Sequence, residues 1–436
     1  MCSPCDKPAG WHGKPRLPIL IEFPATATEC RPISVTLQGD TAGTDVVQDT
    51  ETGSIEQDTN EAVGRRRTAL PALTAVAPEA WRALAARAIE PNGYYLPDWE
   101  LAVNASATGR TGAAALAAWS AAAAPRLLGL LPVVSFWRAL RLPLPALVSA
   151  SPYGTLTTPL LDRTETRAAA GALLDRARNS GARALLLRDV PLHGAAMAAL
   201  TAVLDAQGLA ARVLQSGQRA CLDATQDADD VLRDGLGAKK LKELRRQRAR
   251  LADQGEVRFT VAREPADIAV ALETILALEA GGWKGKRGTA LAQDAGDNAF
   301  IRRAVPALAA TGQCEIIALH AGNVPVAAAI VLRHLDRAFY FKIGIDERFA
   351  KFSPGVQLTL DLTRHLCADP AIASADSTAA PGHPMIDPIW RGRLMIGDVL
   401  IPLRKDDQMA AMMFTALKLR QSATVGLRSV VRKLRG

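Results

Sequence analysis

The chain has 436 residues, a length that suits two domains better than one. With 22% charged and 49% hydrophobic residues, the composition excludes a wholly disordered or fibrous protein. The formal charge of +8 favours acidic partners such as nucleotides, nucleic acid or anionic lipid, but the positive residues are concentrated in two stretches. Six cysteines (Cys2, Cys5, Cys30, Cys221, Cys314 and Cys367) are too sparse for a disulfide framework and suit a reducing compartment. Cys2 and Cys5 form a C-x-x-C pair, but no second pair follows at zinc-ligand spacing, so no metal is expected. Leu17–Phe23 is too short and too interrupted for a secretory segment, and Ala113–Trp137 is broken by Pro125 and Arg126. The expectation is therefore a cytoplasmic protein without membrane spans.

Residues 1–65 are polar, carry no apolar period and are expected to be disordered. Ala77–Glu90 reads as a helix, with Trp81, Leu84, Ala85 and Ala88 on one face. A Pro/Gly loop rich in aromatics follows at Glu90–Trp99. Ala114–Ser120 and Leu127–Phe136 read as strands, and Ser151–Thr155 as a loop. Thr166–Arg178 (helix), Ala182–Leu187 (buried strand), Ala195–Gln207 (helix) and Arg212–Leu222 (strand) complete a mixed α/β domain over residues 66–225.

The second domain, residues 226–405, opens on a basic linker helix, Leu236–Asp253. Lys239, Lys240, Lys242, Arg245, Arg246, Arg248 and Arg250 surround a thin stripe of Leu236, Leu241, Leu244 and Leu251. Such a helix suits phosphates, although the absence of interleaved aromatics argues against base stacking. Then come a helix at Pro265–Glu279, a glycine-rich basic loop at Gly281–Gly288 and a helix at Ala299–Ala310. A hairpin follows from Glu315–His320 and Val326–Arg333. The third strand, Arg337–Asp346, alternates, with Phe339, Phe341, Ile343 and Ile345 facing one way and Tyr340 and Lys342 the other. The loop Glu347–Gly355 leads into the helix Val356–Cys367, and Ile372–Ser377 is a short strand. Residues 406–436 read as a basic amphipathic helix, with Leu427, Val430, Val431 and Leu434 in a stripe flanked by Arg428, Arg432, Lys433 and Arg435. It is either docked or solvated, or lies on an anionic membrane surface at the inner face.

The order helix, loop, helix, three antiparallel strands, turn, helix, strand resembles a GNAT-superfamily acyltransferase. Gly282-Trp-Lys-Gly285, Gly288-Thr-Ala-Leu291, Phe341-Lys-Ile-Gly-Ile-Asp346 and Phe352-Ser-Pro-Gly355 narrow the resemblance to the subfamily associated with cellulose biosynthesis (CelD-type, or BioF2-like acetyltransferase domains). The fold implied is α/β with a mixed sheet, in two tandem GNAT-like domains, the first degenerate. The co-substrate implied is acetyl-CoA or another acyl-CoA. In such proteins an R/Q-x-x-G-x-G/A turn holds the coenzyme pyrophosphate. Here Arg348 matches the first position, while Lys351 and Ser353 stand where the central Gly and last Gly or Ala would be. The resemblance places the coenzyme against Ile343, Gly344 and Ile345 of the strand and Arg348, Lys351, Ser353, Gly355 and Val356 of the turn.

The acceptor, a small molecule or glycan, is assigned to Trp283, Lys284 and Lys286 of the glycine-rich loop, with Tyr340 and Lys342 of the strand. A hydroxyl or amine attacking a thioester must lose a proton, and His383, Asp376 and Asp387 are the candidate bases. Two alternatives accompany acyl transfer in polysaccharide or cell-envelope metabolism. One is Fem-like aminoacyl transfer from charged tRNA, docked on the basic helix. The other is a non-catalytic GNAT-like scaffold.

Overall fold

The computed structural model describes residues 68–434, with side chains described as far as Ser422. The segment 1–65 and the stripe Leu427–Leu434 of the tail lie outside the described residues and side chains.

In the first half, helices α1 (Pro78–Ala86) and α2 (Pro97–Ser106) each open on a proline, whose missing N–H has no role at a helix start. Next come β1 (Ala114–Trp119), β2 (Leu127–Ser135), the short α3 (Phe136–Leu140), β3 (Ala146–Ser149) and the two-residue β4 (Leu160–Leu161). The half ends with α4 (Thr166–Asn179), β5 (Ala184–Pro191), α5 (Ala195–Ala206) and β6 (Arg212–Asp223). The second half begins with α6 (Ala228–Ala252), β7 (Val257–Ala262), α7 (Pro265–Gly281), the one-turn α8 (Trp283–Lys286) and α9 (Ala295–Ala309). It continues through β8 (Cys314–Ala321), β9 (Val324–His334), β10 (Arg337–Ile345), α10 (Pro354–Cys367), β11 (Ser374–Asp376), β12 (Gly392–Pro402) and α11 (Gln408–Leu434).

The two halves repeat one plan. β1, β2 and β3 are antiparallel neighbours, and β5 then joins β3 in parallel. In the same way β8, β9 and β10 are antiparallel, and β11 joins β10 in parallel. The halves then exchange their last strands: β12 pairs with β5 and β6, and β6 pairs with β12 and β11. One sheet results, in the order β1-β2-β3-β5-β12-β6-β11-β10-β9-β8-β7, with β4 alongside β2. Without the exchange each half would end on an exposed edge. The fold is thus mixed α/β, and the sheet crosses the 225/226 boundary without a break.

Period-two burial explains how helices cover both faces of the second half. Ile316, Ile330 and Phe339 meet Leu272, Ile275, Phe300 and Ile301 of α7 and α9. Ile317, Val331 and Tyr340 meet Leu244 of α6 and Leu358, Leu362 and Leu366 of α10. Helix α6 kinks at Gly237, whose φ of 71° only glycine adopts readily, so the basic run starts just past the kink. Ala410, Met413 and Leu417 of α11 are buried with Phe136, Leu186 and Leu214 of the first half and Leu400 of β12. Among the described residues no helix is long and apolar enough to cross a membrane.

The alternation expected along Arg337–Asp346 is corrected. The register of β10 on β9 slips between Tyr340 and Lys342, a β-bulge at Phe341. One extra residue moves every later side chain to the opposite face. Phe339 and Phe341 pack with the α7 side, whereas Ile343 and Ile345 pack with Tyr340 on the α10 side. Lys342 and Gly344 turn toward α7. A Cβ on Gly344 would meet Leu278 Cβ at 2.9 Å and Glu279 N at 3.0 Å, so this glycine serves helix packing.

Candidate active site between two splayed parallel strands

Strands β10 and β11 pair only over Arg337–Phe339 and Ser374–Asp376. Beyond those residues they part, leaving a cavity of about 160 Å³ lined by Lys284, Phe341, Lys342, Thr378, His383 and Met385, among others. The bulge at Phe341 lies in its wall, so backbone at that point is released from the regular ladder. On the α10 side, Ser353 adopts a left-handed conformation (φ 53°) and starts the helix, with Pro354 at its first position. The opening N–H groups of such a helix have no partner inside it and favour an anion. Gly355 lets the helix start approach the strand, because a Cβ there would lie 3.3 Å from Ile345, and 3.4 Å from both Ile343 and Met385 Sδ.

Under the cavity sits Glu279, near the end of α7 and 4% exposed. Its Oε1 accepts from Lys284 Nζ and from Lys342 Nζ, each at 3.0 Å, and its Oε2 accepts from Leu291 N at 3.0 Å. Burial pushes the Glu279 carboxyl up, but Lys342 and Lys284 outweigh it and hold the group below its ordinary range. Burial pushes the Lys342 ammonium down, against the pull of Glu279. The sequence reading did not select Glu279. Its signal was present, since position 279 continues the buried stripe Ile268–Leu272–Ile275–Leu276 of α7, where an acid is out of place.

His383 is half-buried in the loop after β11. Burial lowers its pKa, and Asp387 opposes that shift. Its Nδ1 accepts from Met385 N at 3.3 Å. Asp387 closes the loop, accepting from Gly382 N at 2.9 Å and donating its own N–H to His383 O.

Asp376 does not line the cavity. It is 1% exposed, in an ion pair with the equally buried Arg219 of β6, and accepts from Thr378 N at 2.8 Å. This geometry holds the strand end in place and keeps Asp376, one of the candidate bases, out of the cavity lining. Arg219 also donates to Thr155 O and Oγ1, at 2.7 and 2.8 Å. Through this node the loop Ser151–Thr155 of the first half reaches the cavity. Tyr153 donates from its hydroxyl to Asp297 at 2.5 Å, carries Arg110 4.3 Å above its ring, and lies 5.7 Å from Lys342 Nζ. Neither Tyr153 nor Arg219 stood out in the sequence, because their role depends on the strand exchange.

The remaining sequence candidates fall as follows. Tyr340 borders the cavity, but its ring is buried and its hydroxyl meets Thr359 Oγ1 at 3.2 Å, so it offers no side-chain polar group there. Arg348 is exposed and forks onto Asp346, while Lys286 pairs with Glu347. Lys351 is exposed, 4.9 Å from the Phe352 ring. Trp283 is half-buried, with Arg287 5.2 Å from its ring. Val356 packs against the α10-side core.

The corresponding parting of β3 and β5 in the first half is stitched shut. Thr157 Oγ1 donates to Ser149 Oγ at 2.9 Å, Ser149 Oγ accepts from Arg188 N at 3.0 Å, and Thr157 N donates to Asp189 O. The turn before α4 is filled by Asp162, which is fully buried, pairs with Arg87, and accepts from Thr164 N at 2.9 Å.

The splayed strand pair, the bulge and the helix start all lie within residues 337–376. Residues 238–380 match the family model described as an acetyltransferase (GNAT) domain, so the chain carries a GNAT-type acetyltransferase domain. His383 and Asp387 lie just past the matched segment. No match is found among curated proteins. Among solved structures, FemX is similar with a TM-score of 0.50 and 12% identity over 74% of this chain and 96% of that one. L-PGS from Bacillus licheniformis gives 0.41 and 12%, over 76% and 98%. A tandem GNAT protein from the clavulanic acid biosynthesis pathway gives 0.36 and 14%, over 76% and 96%. At such identities the likeness concerns the fold alone.

Proposed function

We propose that the cavity between β10 and β11 transfers an acyl group, acetyl foremost, from acyl-CoA to a hydroxyl or amine of a small molecule or glycan. The observation that carries this reading is the juxtaposition, at one mouth, of the bulge at Phe341 and the helix start at Ser353–Val356. The released backbone N–H groups beside the bulge suit the acyl carbonyl oxygen as negative charge grows on it. The opening N–H groups of α10 suit the pyrophosphate, with exposed Lys351 as a nearby point charge. Arg348 joins them only by leaving Asp346. A cavity of about 160 Å³ fits the reacting ends of donor and acceptor, not a whole coenzyme.

In the transfer, the acceptor's lone pair forms a bond to the carbonyl carbon, the carbon–sulfur bond breaks, and the sulfur leaves as thiolate. The proton lost by the acceptor goes to His383, and from there to the thiolate or to water. A lowered pKa keeps the imidazole neutral and ready at neutral pH. With Nδ1 accepting from Met385, the neutral ring carries its proton on Nε2. Base action therefore asks the ring to turn over, giving up one long hydrogen bond. Asp387 stabilises the imidazolium, while Arg219 and Asp376 position the strand end. The resemblance to the CelD-type subfamily points to acceptors of polysaccharide or cell-envelope metabolism. An anionic membrane surface is the partner assigned to the tail.

Aminoacyl transfer from charged tRNA is the second reading. It is favoured by one feature: Lys239, Lys242, Arg246 and Arg250 form a single exposed stripe on α6, which packs against α10. Calorimetric titration of the full chain with acetyl-CoA separates the readings. Micromolar binding, lost in an Arg348→Ala, Lys351→Ala variant, is the expected result. No heat with any acyl-CoA, together with salt-sensitive tRNA binding, would favour the second reading. No response to either ligand would leave a scaffold.

A further inference from the structure

Lys284 and Lys342 aim at the same carboxylate oxygen. Each ammonium is 3.0 Å from Glu279 Oε1, while Oε2 is taken by Leu291 N. The lysine side chains are 22% and 18% exposed and line the cavity, whereas Glu279 is nearly sealed behind them and does not. Two positive charges against one negative leave an excess of one. The cavity lining holds no Asp or Glu to balance it. Asp297, the next carboxylate to act on Lys342, already accepts from the Tyr153 hydroxyl and Thr108 N. Each ammonium has three donors. Lys284 uses one on Glu279 and one on Ile343 O, at 3.3 Å. Lys342 uses one on Glu279 and lies 5.7 and 5.9 Å from the rings of Tyr153 and Phe341, while Asp297 acts on it without a direct hydrogen bond among those described. A partly buried positive charge short of a counter-charge is a standing cost that an anionic ligand removes.

The bulge decides which ligand this is. It turns Lys342 to the α7 face, while Ile343, Ile345 and the α10 helix start lie on the other face. The site assigned to the donor's phosphates is therefore across the sheet from the lysines. We propose that Lys284 and Lys342 recognise an anionic group, a carboxylate or a phosphate, that the acceptor carries next to its nucleophilic hydroxyl or amine. This rests on the acyl-transfer reading above.

Matched acceptors test it: glycine against glycinamide for the carboxylate, and glucosamine 6-phosphate against glucosamine for the phosphate. Acetyl transfer from acetyl-CoA by the full chain is followed by mass of product. The anionic member of at least one pair should show a kcat/KM higher by about tenfold to a hundredfold, the size of one charge-assisted hydrogen bond. Which pair responds identifies the anion. In Lys342→Met the ratio should fall to about one, with melting temperature preserved, because Glu279 keeps Lys284 as a one-to-one partner. If Lys342→Met does not fold, Lys284→Met takes its place.

Inorganic phosphate alone provides a readout independent of acyl transfer. It should raise the melting temperature of the wild-type chain and not that of the variant. Equal or better use of the neutral acceptors overturns the proposal, as does a phosphate effect that survives the substitution or never appears. Weakened acetyl-CoA binding in Lys342→Met would also overturn it, because the lysines would then serve the donor. Failure to bind acetyl-CoA at all would remove the acyl-transfer reading, while the phosphate titration still judges the anion site.

Discussion

Glu279 is the residue on which the cavity depends most. Glu279→Gln keeps the shape but leaves two ammonium groups facing each other across a neutral amide. Breaking a buried ion pair from one side typically costs on the order of 3 kcal/mol, and that loss is expected in urea denaturation at pH 7. Because the folded pKa of Glu279 is depressed, its contribution is present above the ordinary carboxylate range and is lost as pH falls through the folded value. Wild type should therefore lose stability on acidification more steeply than the variant. His383 is tested by rate instead. Its lowered pKa predicts that kcat/KM rises through an apparent pKa below the ordinary value for histidine and then holds level. Asp387→Asn removes the charge that favours imidazolium, so this limb should move to still lower pH, whereas His383→Ala should cost about a hundredfold or more in rate. Asp376→Asn is a poor kinetic probe. It strands buried Arg219, so a lowered melting temperature should accompany any loss of activity. Of these residues, the sequence singles out His383, Asp387 and both lysines by their loop and strand settings. Glu279 was overlooked because a single acid on an apolar helix stripe reads as an exception rather than a signal.

At the scale of elements, long apolar or amphipathic segments were readable and short or mixed ones were not. The helices that became α4, α5, α7 and α10 carry period-3.6 stripes, and β8 and β9 carry period-two runs on either side of a turn. Strand β12 was not anticipated. Gly392, Arg393, Gly397 and Asp398 dilute its pattern, although Asp398 is satisfied inside the sheet by Gln215 Nε2 at 2.7 Å and Asp189 N at 3.0 Å. Strands β3 and β7 were also missed, and α2 was hidden because its opening proline sits in a loop-like run. The bulge had no local signature at all: register depends on the partner strand, which a single chain segment does not encode. One element-scale contact is directly testable. His334, at the end of β9, is 3% exposed. It accepts from Asn92 N at 2.8 Å on Nδ1 and meets Ala85 O at 2.9 Å through Nε2, tying β9 to the end of α1 and the loop after it. Burial pushes its pKa down to about 4. The neutral ring is favoured in the folded state, so its stabilisation is complete above the ordinary value near 6.5 and declines toward about 4. His334→Leu should leave Asn92 N unpaired, while Ala85 O keeps Ala88 N, costing about 1–3 kcal/mol at pH 7. It should also flatten the stability profile between pH 6.5 and 4.5, as measured by denaturant titration at several pH values.

At the scale of the whole molecule, the repeat is built so that neither half is complete. Residues 66–225 contain β5 and β6 but not β12, the strand that lies between them and pairs with both. Residues 226–405 contain β11 and β12 but not β6, which joins those two. Each half made alone would therefore have a gap one strand wide in its sheet and two open edges facing it, a state that favours aggregation over folding. The cavity has the same dependence, since Arg219 of β6 pins Asp376 and Tyr153 of the first half stands beside Lys342. This explains why a half with its own strand parting stitched shut stays in the chain: it supplies a strand and a wall rather than a second reaction centre. The two segments, expressed separately with an affinity tag on the first, should be insoluble or lack cooperative thermal unfolding by circular dichroism. Expressed together, they should co-purify through that one tag and regain a single cooperative transition. Independent folding of residues 226–405, with acetyl-CoA binding intact, would show that the exchanged strands are an ornament on a self-sufficient domain. Co-purification that Asp376→Asn abolishes would trace the assembly to the buried ion pair as well as to the sheet.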